Sequence, residues 1–505
     1  MHSLFMGVDI GTSGVRAALF DTDGNQKSLS HREYPMKCSE PGMAELEPDL
    51  ILGTLLEVVR ECIAAVNAGK GDIAAIGLST QLFSFLAVDR NGNCLTNVIT
   101  WADTRSLKHA EMLQEKYDFR SIYQRTGCRV QHPMYPISKL LWLKAENPGL
   151  FARIGKIITI KQYILHKLFG EYVIDITDAS SMGYFNIHRF EWDRDILQEV
   201  LGLDSESFGT PVDCTRVLTG IKKEYADRMG IMSGTPVIVG SGDGMLANAG
   251  CGVFDQTSMS STIGTSGALR ISCSRPLLDQ EQRTWCYCFT RDTWVAGGAI
   301  NNGGIVLKWL RDDYKRQYEN EMLEEGADSV YQLFDRYSAQ IPAGSQGLLF
   351  LPFLTGERSP NWNASAKGTI HGLQLMHGKK HLIRAAMEGV MFRMFSVYEV
   401  ITQINPSVSQ IKANGGYVNS GVWLQMQADI FNKEIAVAGV SEAAALGAAY
   451  VAMAAMGAVD SLKQPLKCME PKKLIKPIPE NHEIYSKVYT DFRNLYQKLY
   501  GNTRG

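Results

Sequence analysis

The stretch PVIVGSGDGM at 236–245 places one acid, Asp243, after an apolar run and between two glycines. The run 236–239 is short and β-branched, which predicts an interior strand of a parallel sheet. Glycines at 240, 242 and 244 predict that the chain then opens into a loop where backbone or a ligand can approach the carboxylate. Open α/β sheets bind ligands at such strand ends. The residues alone favour a turn aspartate that hydrogen-bonds its own backbone, and a ligand-site carboxylate is the alternative.

A repeated pentapeptide provides a second candidate site. GVDIGTSGVRAALF at 7–20 and STIGTSGALRIS at 261–272 both contain IGTSG, one copy in each half of the chain. Each copy predicts a β-hairpin whose turn can donate hydrogen bonds from backbone N–H groups and hydroxyls to phosphate oxygens. One GTSG is an ordinary turn, but two copies favour a phosphate site. The candidate phosphate ligands are Gly11, Thr12, Ser13, Gly264, Thr265 and Ser266.

Asp9 is the lone acid of the apolar strand before the first of these turns. A carboxylate beside phosphates is repelled unless a cation lies between them, so Asp9 predicts a magnesium ion or its water shell. The alternative is a capping or turn acid.

Two later helices are entered through glycines and are candidates for the rest of a nucleotide site. IKANGGYVNSGVWLQMQADIF at 411–431 predicts a strand, then Gly415 and Gly416, then a helix that begins near Asn419 and Ser420. GGAINNGGIVLKWLRD at 297–312 predicts a similar helix entry, with Gly304 and Lys308 facing the ligand. Taken singly, each segment is better explained by close packing. The segment 441–459 predicts a helix of small residues that packs closely against its neighbours.

Composition limits the function classes. A chain of 505 residues predicts two large domains. The chain has 51 Lys and Arg against 53 Asp and Glu, so its charge is nearly balanced. It lacks the excess positive charge on which nucleic-acid binding relies, so nucleic acid is not expected as a partner. Apolar stretches such as 347–354 are too short to cross a membrane, and the start of the chain has no secretion signal, which predicts a cytoplasmic protein. The ten cysteines lack paired CxxC spacing, and Cys286 and Cys288 are expected on one face of a strand.

The motifs together resemble the FGGY carbohydrate kinases. The resemblance rests on DIGTSG, IGTSG, GDG and NGGY, and on AELEPDLI at 44–51, TWADTRS at 100–106, DASSMGYFN at 178–186 and GERSPNW at 356–362. It implies an α/β chain with two actin-like (ribonuclease-H-like) domains, each built on a mixed five-stranded sheet, and an interdomain ligand cleft. The implied domains are 1–248 on the sugar side and 249–505 on the nucleotide side. It further implies ATP and Mg²⁺, with Asp243 as the catalytic base of phosphoryl transfer to a sugar hydroxyl.

Within that family the segment TGCRVQHPMYPISKLLWL at 126–143 is most similar to the gluconate kinases. This implies that gluconate is converted to 6-phosphogluconate, with Gln81, Trp101, His132 and Met134 near the sugar beside Asp243. A surface position for His132 and a core position for Trp101 are the structural alternatives. Leu82 and Phe83 depart from the Met-His expected there, which leaves the exact polyol or acid open. A ketopentose kinase and a non-metabolic actin-like ATPase are the alternative functions, and assembly into a homodimer is also left open.

Overall fold

The structure is a computed structural model that describes residues 4–313, 315–440 and 442–501. Its strands in chain order are β1 Leu4–Ile10, β2 Gly14–Phe20, β3 Gln26–Glu33, β4 Glu45–Leu46, β5 Ile73–Thr80, β6 Leu86–Val88, β7 Val98–Ile99, β8 Lys156–Ile158, β9 Val173–Asp175, β10 Phe185–Asn186, β11 Glu191–Trp192, β12 Thr210–Val212, β13 Val217–Leu218, β14 Val237–Gly242, β15 Ser258–Ile263, β16 Gly267–Cys273, β17 Trp285–Thr290, β18 Thr293–Ile300, β19 Leu349–Leu351, β20 Thr369–His371, β21 Gln410–Asn414, β22 Ile435–Ala438 and β23 Pro471–Ile475.

The α-helices are α1 Pro48–Ala64, α2 Leu107–Lys116, α3 Phe119–Thr126, α4 Pro136–Glu146, α5 Pro148–Phe151, α6 Ile160–Phe169, α7 Ile176–Ser180, α8 Lys223–Met229, α9 Asp243–Gly250, α10 Ile305–Asp313, α11 Lys315–Glu324, α12 Val330–Ala339, α13 Lys379–Ile404, α14 Gly421–Phe431, α15 Ala443–Ala455 and α16 Pro479–Tyr500. None of the described helices is long and apolar enough to span a membrane.

Two large mixed sheets repeat one strand order. The first sheet runs β13-β14-β5-β1-β2-β3 and the second runs β17-β18-β16-β15-β21-β22-β23. In each, a hairpin strand pairs antiparallel with its partner and parallel with a later strand, as β1 does with β2 and β5, and β15 with β16 and β21. The sheets have six and seven strands instead of the five expected. The extra strands β13, β17 and β23 all add antiparallel at the edges of a shared five-strand unit.

Both predicted hairpins form, with turns at 11–13 and 264–266. The segment 411–431 also folds as expected: β21 ends at Asn414, and the Ser420 side chain caps α14 by accepting from the Trp423 amide. Helix α10 follows Gly303 and Gly304, as the glycine pattern indicates. Cys286 and Cys288 both lie buried in β17.

The loop expected after 239 does not form. β14 continues through Gly242 with every residue buried, and α9 begins at once with Asp243. The prediction was wrong because glycines permit a turn without requiring one, and here they serve close packing. A Cβ on Gly240 would lie 1.8 Å from the Leu78 carbonyl oxygen, and Gly240 has φ of +68°.

Helix α15 crosses from the second half of the chain onto the first sheet. A Cβ on Gly7 of β1 would lie 1.8 Å from the Ala445 carbonyl oxygen, and one on Gly77 of β5 would lie 2.0 Å from that of Ala448. A Cβ on Gly447 would lie 2.0 Å from the Leu246 carbonyl oxygen of α9. The prediction of a closely packed helix of small residues is confirmed from Ala443 onward, and Ser441 lies outside the described residues.

Candidate active site

A cavity of about 220 Å³ lies between the two halves of the chain and contains Asp243. Its lining comes from the first half (Thr12, Leu82, Phe83, Trp101, Met134, Asp243, Gly244 and Met245) and the second half (Ser266, Gly267, Ala268, Arg270, Trp285, Tyr287, Ala299 and Arg358). We call it the acceptor cavity. Asp243 is the only acidic side chain among the described residues that line it.

Asp243 is held at the start of α9, where the positive end of the helix faces a carboxylate. Its Oδ1 accepts a hydrogen bond of 2.6 Å from the amide of Gly244, the next residue of the helix. Burial, followed by the negative charge of Asp9, raises the pKa of Asp243 to about 6, although Arg270 opposes the shift. A carboxylate with this pKa is ionised at neutral pH and basic enough to accept a hydroxyl proton.

Asp9 lies near the end of β1, paired across the sheet with Arg16 of β2 and Ser79 of β5. The Ser79 hydroxyl donates to Asp9 Oδ1 at 2.6 Å. Burial raises the pKa of Asp9, and the Ser79 hydrogen bond and Arg16 oppose this. Asp9 does not line the acceptor cavity, but its charge acts on Asp243.

A chain of hydrogen bonds fixes Thr12, Gln81 and Trp101. Trp101 Nε1 donates to Thr12 Oγ1 at 2.9 Å, and Thr12 Oγ1 donates to Gln81 Oε1 at 2.9 Å. Gln81 is buried behind Thr12, and its Nε2 has no hydrogen-bond partner in the described chain. Because the Thr12 proton is used, phosphate contacts at this turn would come from the amides of Thr12 and Ser13. Those amides donate to no group in the described chain.

Met134 lines the acceptor cavity, and His132 is not among its lining residues. His132 Nδ1 accepts from the Met134 amide at 3.2 Å, and its ring meets Trp362 edge to face at 5.4 Å. Burial, followed by the nearby cations, among them Arg358, lowers the pKa of His132 to about 3. His132 is therefore neutral at physiological pH.

A second cavity of about 590 Å³ lies wholly within the second half of the chain, and we call it the nucleotide cavity. The candidate residues that line it are Gly264, Thr265, Gly304, Lys308, Gly416, Asn419 and Ser420. A Cβ on Gly264 or Gly416 would meet no protein atom within 4 Å, so both glycines face open space. Gly11, Ser13 and Gly415 do not line it. Gly415 has φ of +90°, and its Cβ would lie 2.7 Å from the Ile263 carbonyl oxygen, so backbone packing explains that glycine.

The turn 264–266 separates the two cavities. Gly264 and Thr265 line the nucleotide cavity, and Ser266 lines the acceptor cavity. The amides of Thr265 and Ser266 donate to no group in the described chain. This turn therefore offers free donors at the point where the two cavities meet.

Several lining residues were not predicted. In the acceptor cavity they include Arg270, Arg358 and Tyr287, and in the nucleotide cavity Tyr331 and Asp335. Arg358 lies in the GERSPNW motif, which carried the resemblance but no assigned role. Asp335 accepts from the Ser420 hydroxyl at 2.6 Å, a contact between segments 85 positions apart that no local pattern indicates.

Family models match on both sides of the acceptor cavity. The N-terminal domain of the FGGY family of carbohydrate kinases matches residues 4–250, and its C-terminal domain matches residues 259–456. The chain belongs to the FGGY family of carbohydrate kinases. It is an enzyme that transfers a phosphoryl group to an alcohol acceptor, and membership implies ATP as the donor. The predicted family and the two-domain actin-like fold are confirmed.

Individual relatives span the whole chain. The gluconokinase of Bacillus subtilis (strain 168) is 35% identical over 500 residues, covering 99% of this chain and 96% of that protein. The structure of a gluconate kinase from Lactobacillus acidophilus is 31% identical with a TM-score of 0.91, covering 99% of both chains. The ligand-bound structure of a xylulose kinase from the same organism has the same identity, TM-score and coverage.

Proposed function

We propose that this FGGY kinase transfers the γ-phosphate of ATP to the terminal hydroxyl of gluconate, giving 6-phosphogluconate. The observation that carries the proposal is the turn 264–266, which borders the nucleotide cavity on one side and the Asp243 cavity on the other. Similarity to proteins named gluconokinase and gluconate kinase over the full length supports the choice of acceptor.

In this proposal ATP lies in the nucleotide cavity with its phosphates directed at the turn 264–266. The free amides there would donate to phosphate oxygens, and the turn 11–13 would contact the γ-phosphate, which ADP lacks, from the other half. The sugar acid lies in the acceptor cavity, where Asp243 accepts the proton of the attacking hydroxyl. Phosphoryl transfer needs alignment and charge neutralisation more than covalent help, and these residues would supply the alignment and the base.

Magnesium fits the residues present. Asp9 offers a carboxylate oxygen, and its negative charge raises the pKa of Asp243, a repulsion that a divalent cation would relieve. The described residues contain no group of three or more His, Cys, Asp or Glu side chains able to hold a metal ion. The other ligands would be phosphate oxygens and water, the arrangement that Mg²⁺ commonly adopts at nucleotide sites. Bound there, Mg²⁺ would neutralise phosphate charge.

The division of the chain into a sugar-side domain, 1–248, and a nucleotide-side domain, 249–505, stays a proposal. Residue 248 lies inside α9, so the division would pass through the helix that carries Asp243. Asn248 also bonds the second sheet, donating to Ser272 Oγ at 2.9 Å and accepting from Ser260 Oγ at 2.6 Å. Because ATP is the donor, we propose that the enzyme acts in the cytoplasm.

The alternative acceptor is xylulose, favoured by the equally similar xylulose kinase structure. An ADP-release assay with gluconate, xylulose, ribulose and glycerol separates the possibilities. We expect the highest kcat/KM with gluconate and little ADP release without a sugar. A higher kcat/KM with xylulose would overturn the assignment of gluconate, and sugar-independent turnover would instead indicate a non-metabolic actin-like ATPase.

A further inference from the structure

One basic residue of the acceptor cavity has no acidic partner. Arg358 is buried, with 9% of its surface exposed, and it lines the cavity. Its guanidinium donates to the Ile300 carbonyl at 3.3 Å, and its Nε has no hydrogen-bond partner. In the described chain it forms no salt bridge with any carboxylate. Burial lowers the pKa of Arg358 to about 10, so the group stays charged at neutral pH.

The other cations of this region are already engaged. Arg270 also lines the cavity, but its charge acts on Asp243. Lys139 donates to the carbonyl oxygens of Thr100 and Met134, and Arg129 lies over the Trp362 ring at 5.6 Å. Neither Lys139 nor Arg129 lines the cavity. Arg358 is therefore the cation that faces the acceptor without a counter-charge.

A buried charge without a partner is costly, and a ligand carboxylate offsets that cost. A guanidinium is suited to the task, because its planar fork can donate two parallel hydrogen bonds to one carboxylate. The Arg358 guanidinium also lies over the Trp101 ring at 5.7 Å, and Trp101 is held by its bond to Thr12. This packing orients the guanidinium before a ligand arrives.

We propose that Arg358 binds the carboxylate of the acceptor and so selects a sugar acid over a neutral sugar. The inference rests on the proposed function and adds the residue that decides the substrate class. Asp243 and Arg358 both line the acceptor cavity, Asp243 from the first half of the chain and Arg358 from the second. In this proposal the acid end of an extended substrate lies at Arg358 and its reacting hydroxyl at Asp243.

The test compares gluconate with gluconamide, which has the same length and hydroxyls but no charge. We expect the wild-type enzyme to prefer gluconate, and Arg358→Gln to lower kcat/KM for gluconate by roughly 10²-fold or more, mainly through KM. The loss with gluconamide should be under about tenfold, since no ion pair is removed. Arg129→Gln is the matched control and should leave the ratio of the two substrates unchanged.

The outcomes are distinct. A parallel loss on both substrates, or an equal change of the ratio in Arg129→Gln, would overturn the role of Arg358. If the wild-type enzyme does not phosphorylate gluconate, the proposed function fails. The role of Arg358 is then tested with other sugar acids, each compared with its amide. Preference for the neutral amide in every pair would overturn that role. Should Arg358→Gln fail to fold by thermal melting, Arg358→Lys keeps the charge but loses the fork. An unchanged acid-to-amide ratio in that variant would contradict the proposal.

Discussion

At the scale of single residues, the pKa of Asp243 gives the proposed base a pH signature. Burial raises this pKa to about 6, so the carboxylate is protonated and inactive below that pH and ionised above it. We therefore expect kcat/KM to be level above about pH 7 and to fall about tenfold per pH unit below pH 6. Initial rates between pH 4.5 and 8 measure this, and a flat profile would exclude Asp243 as the group that titrates.

The variant that tests the same residue is Asp243→Asn, whose side chain keeps the shape of aspartate but cannot accept a proton. We expect kcat to fall roughly 10²–10⁴-fold while ATP still binds. Asp9→Asn is its comparison. Loss of a magnesium-linked carboxylate should be offset in part by added Mg²⁺, whereas no concentration of Mg²⁺ should restore Asp243→Asn. Near-normal turnover in a folded Asp243→Asn protein would defeat the assignment.

Sequence patterns indicate some site residues and miss others for a physical reason. Asp243 stands out because a lone acid ends a buried strand among glycines. Arg358 does not stand out in the sequence. Its proposed role follows from having no carboxylate partner in the described chain, and that can be seen only once the chain is folded around the cavity. His132 near the sugar stays a prediction: Met134 lines the cavity, and His132, whose Nδ1 accepts from the Met134 amide, is not among the lining residues.

At the scale of elements, the two hairpins follow from the repeated IGTSG, while the junction of β14 and α9 does not follow from local pattern. Glycines in GSGDG fit a turn equally well. What decides the outcome is contact between elements distant in sequence, since β14 pairs with β5 on one side and α9 packs against α15 on the other. A pattern confined to ten residues cannot contain those contacts.

The crossing of α9 and α15 gives a test at this scale. A Cβ on Gly447 would lie 2.0 Å from the Leu246 carbonyl oxygen, so Gly447→Ala must push the helices apart. We expect a loss of roughly 1–3 kcal/mol in stability, and reduced kcat because α9 carries Asp243. Gly53→Ala in α1 is the control, since its Cβ meets nothing within 4 Å. That change should stabilise by roughly 0.5–1 kcal/mol. Equal melting temperatures for the two variants would contradict the packing argument.

At the scale of the whole molecule, the sequence repeat predicted two copies of one design, and the two sheets do share a five-strand unit. The edge strands β13 and β23 were not foreseen, and β17 was expected as a strand around Cys286 and Cys288 but without a place in the sheet, because pairing at an edge depends on which chain segment returns there. The repeat thus indicates the common core of each half. β13 and β23 extend that core at the same edge, and β17 extends only the second sheet.

The two cavities differ in which halves of the chain they use, and this predicts different effects of the two ligands on molecular shape. The nucleotide cavity is lined only from residue 263 onward, whereas the acceptor cavity is lined from both halves. Gluconate should therefore draw the halves together, since it can satisfy both walls only in a closed arrangement. ADP alone should leave their spacing unchanged.

Small-angle X-ray scattering of the free enzyme, and with gluconate, ADP or both, measures this directly. We expect a smaller radius of gyration with gluconate and no change with ADP alone. Asp243→Asn with gluconate and ATP provides the ternary complex without turnover, and it should be at least as compact as wild type with gluconate and ADP. Compaction by ADP alone would show that the nucleotide contacts both halves. Identical scattering with and without gluconate at saturating concentration would show that the halves are already closed around the acceptor cavity before the sugar acid binds.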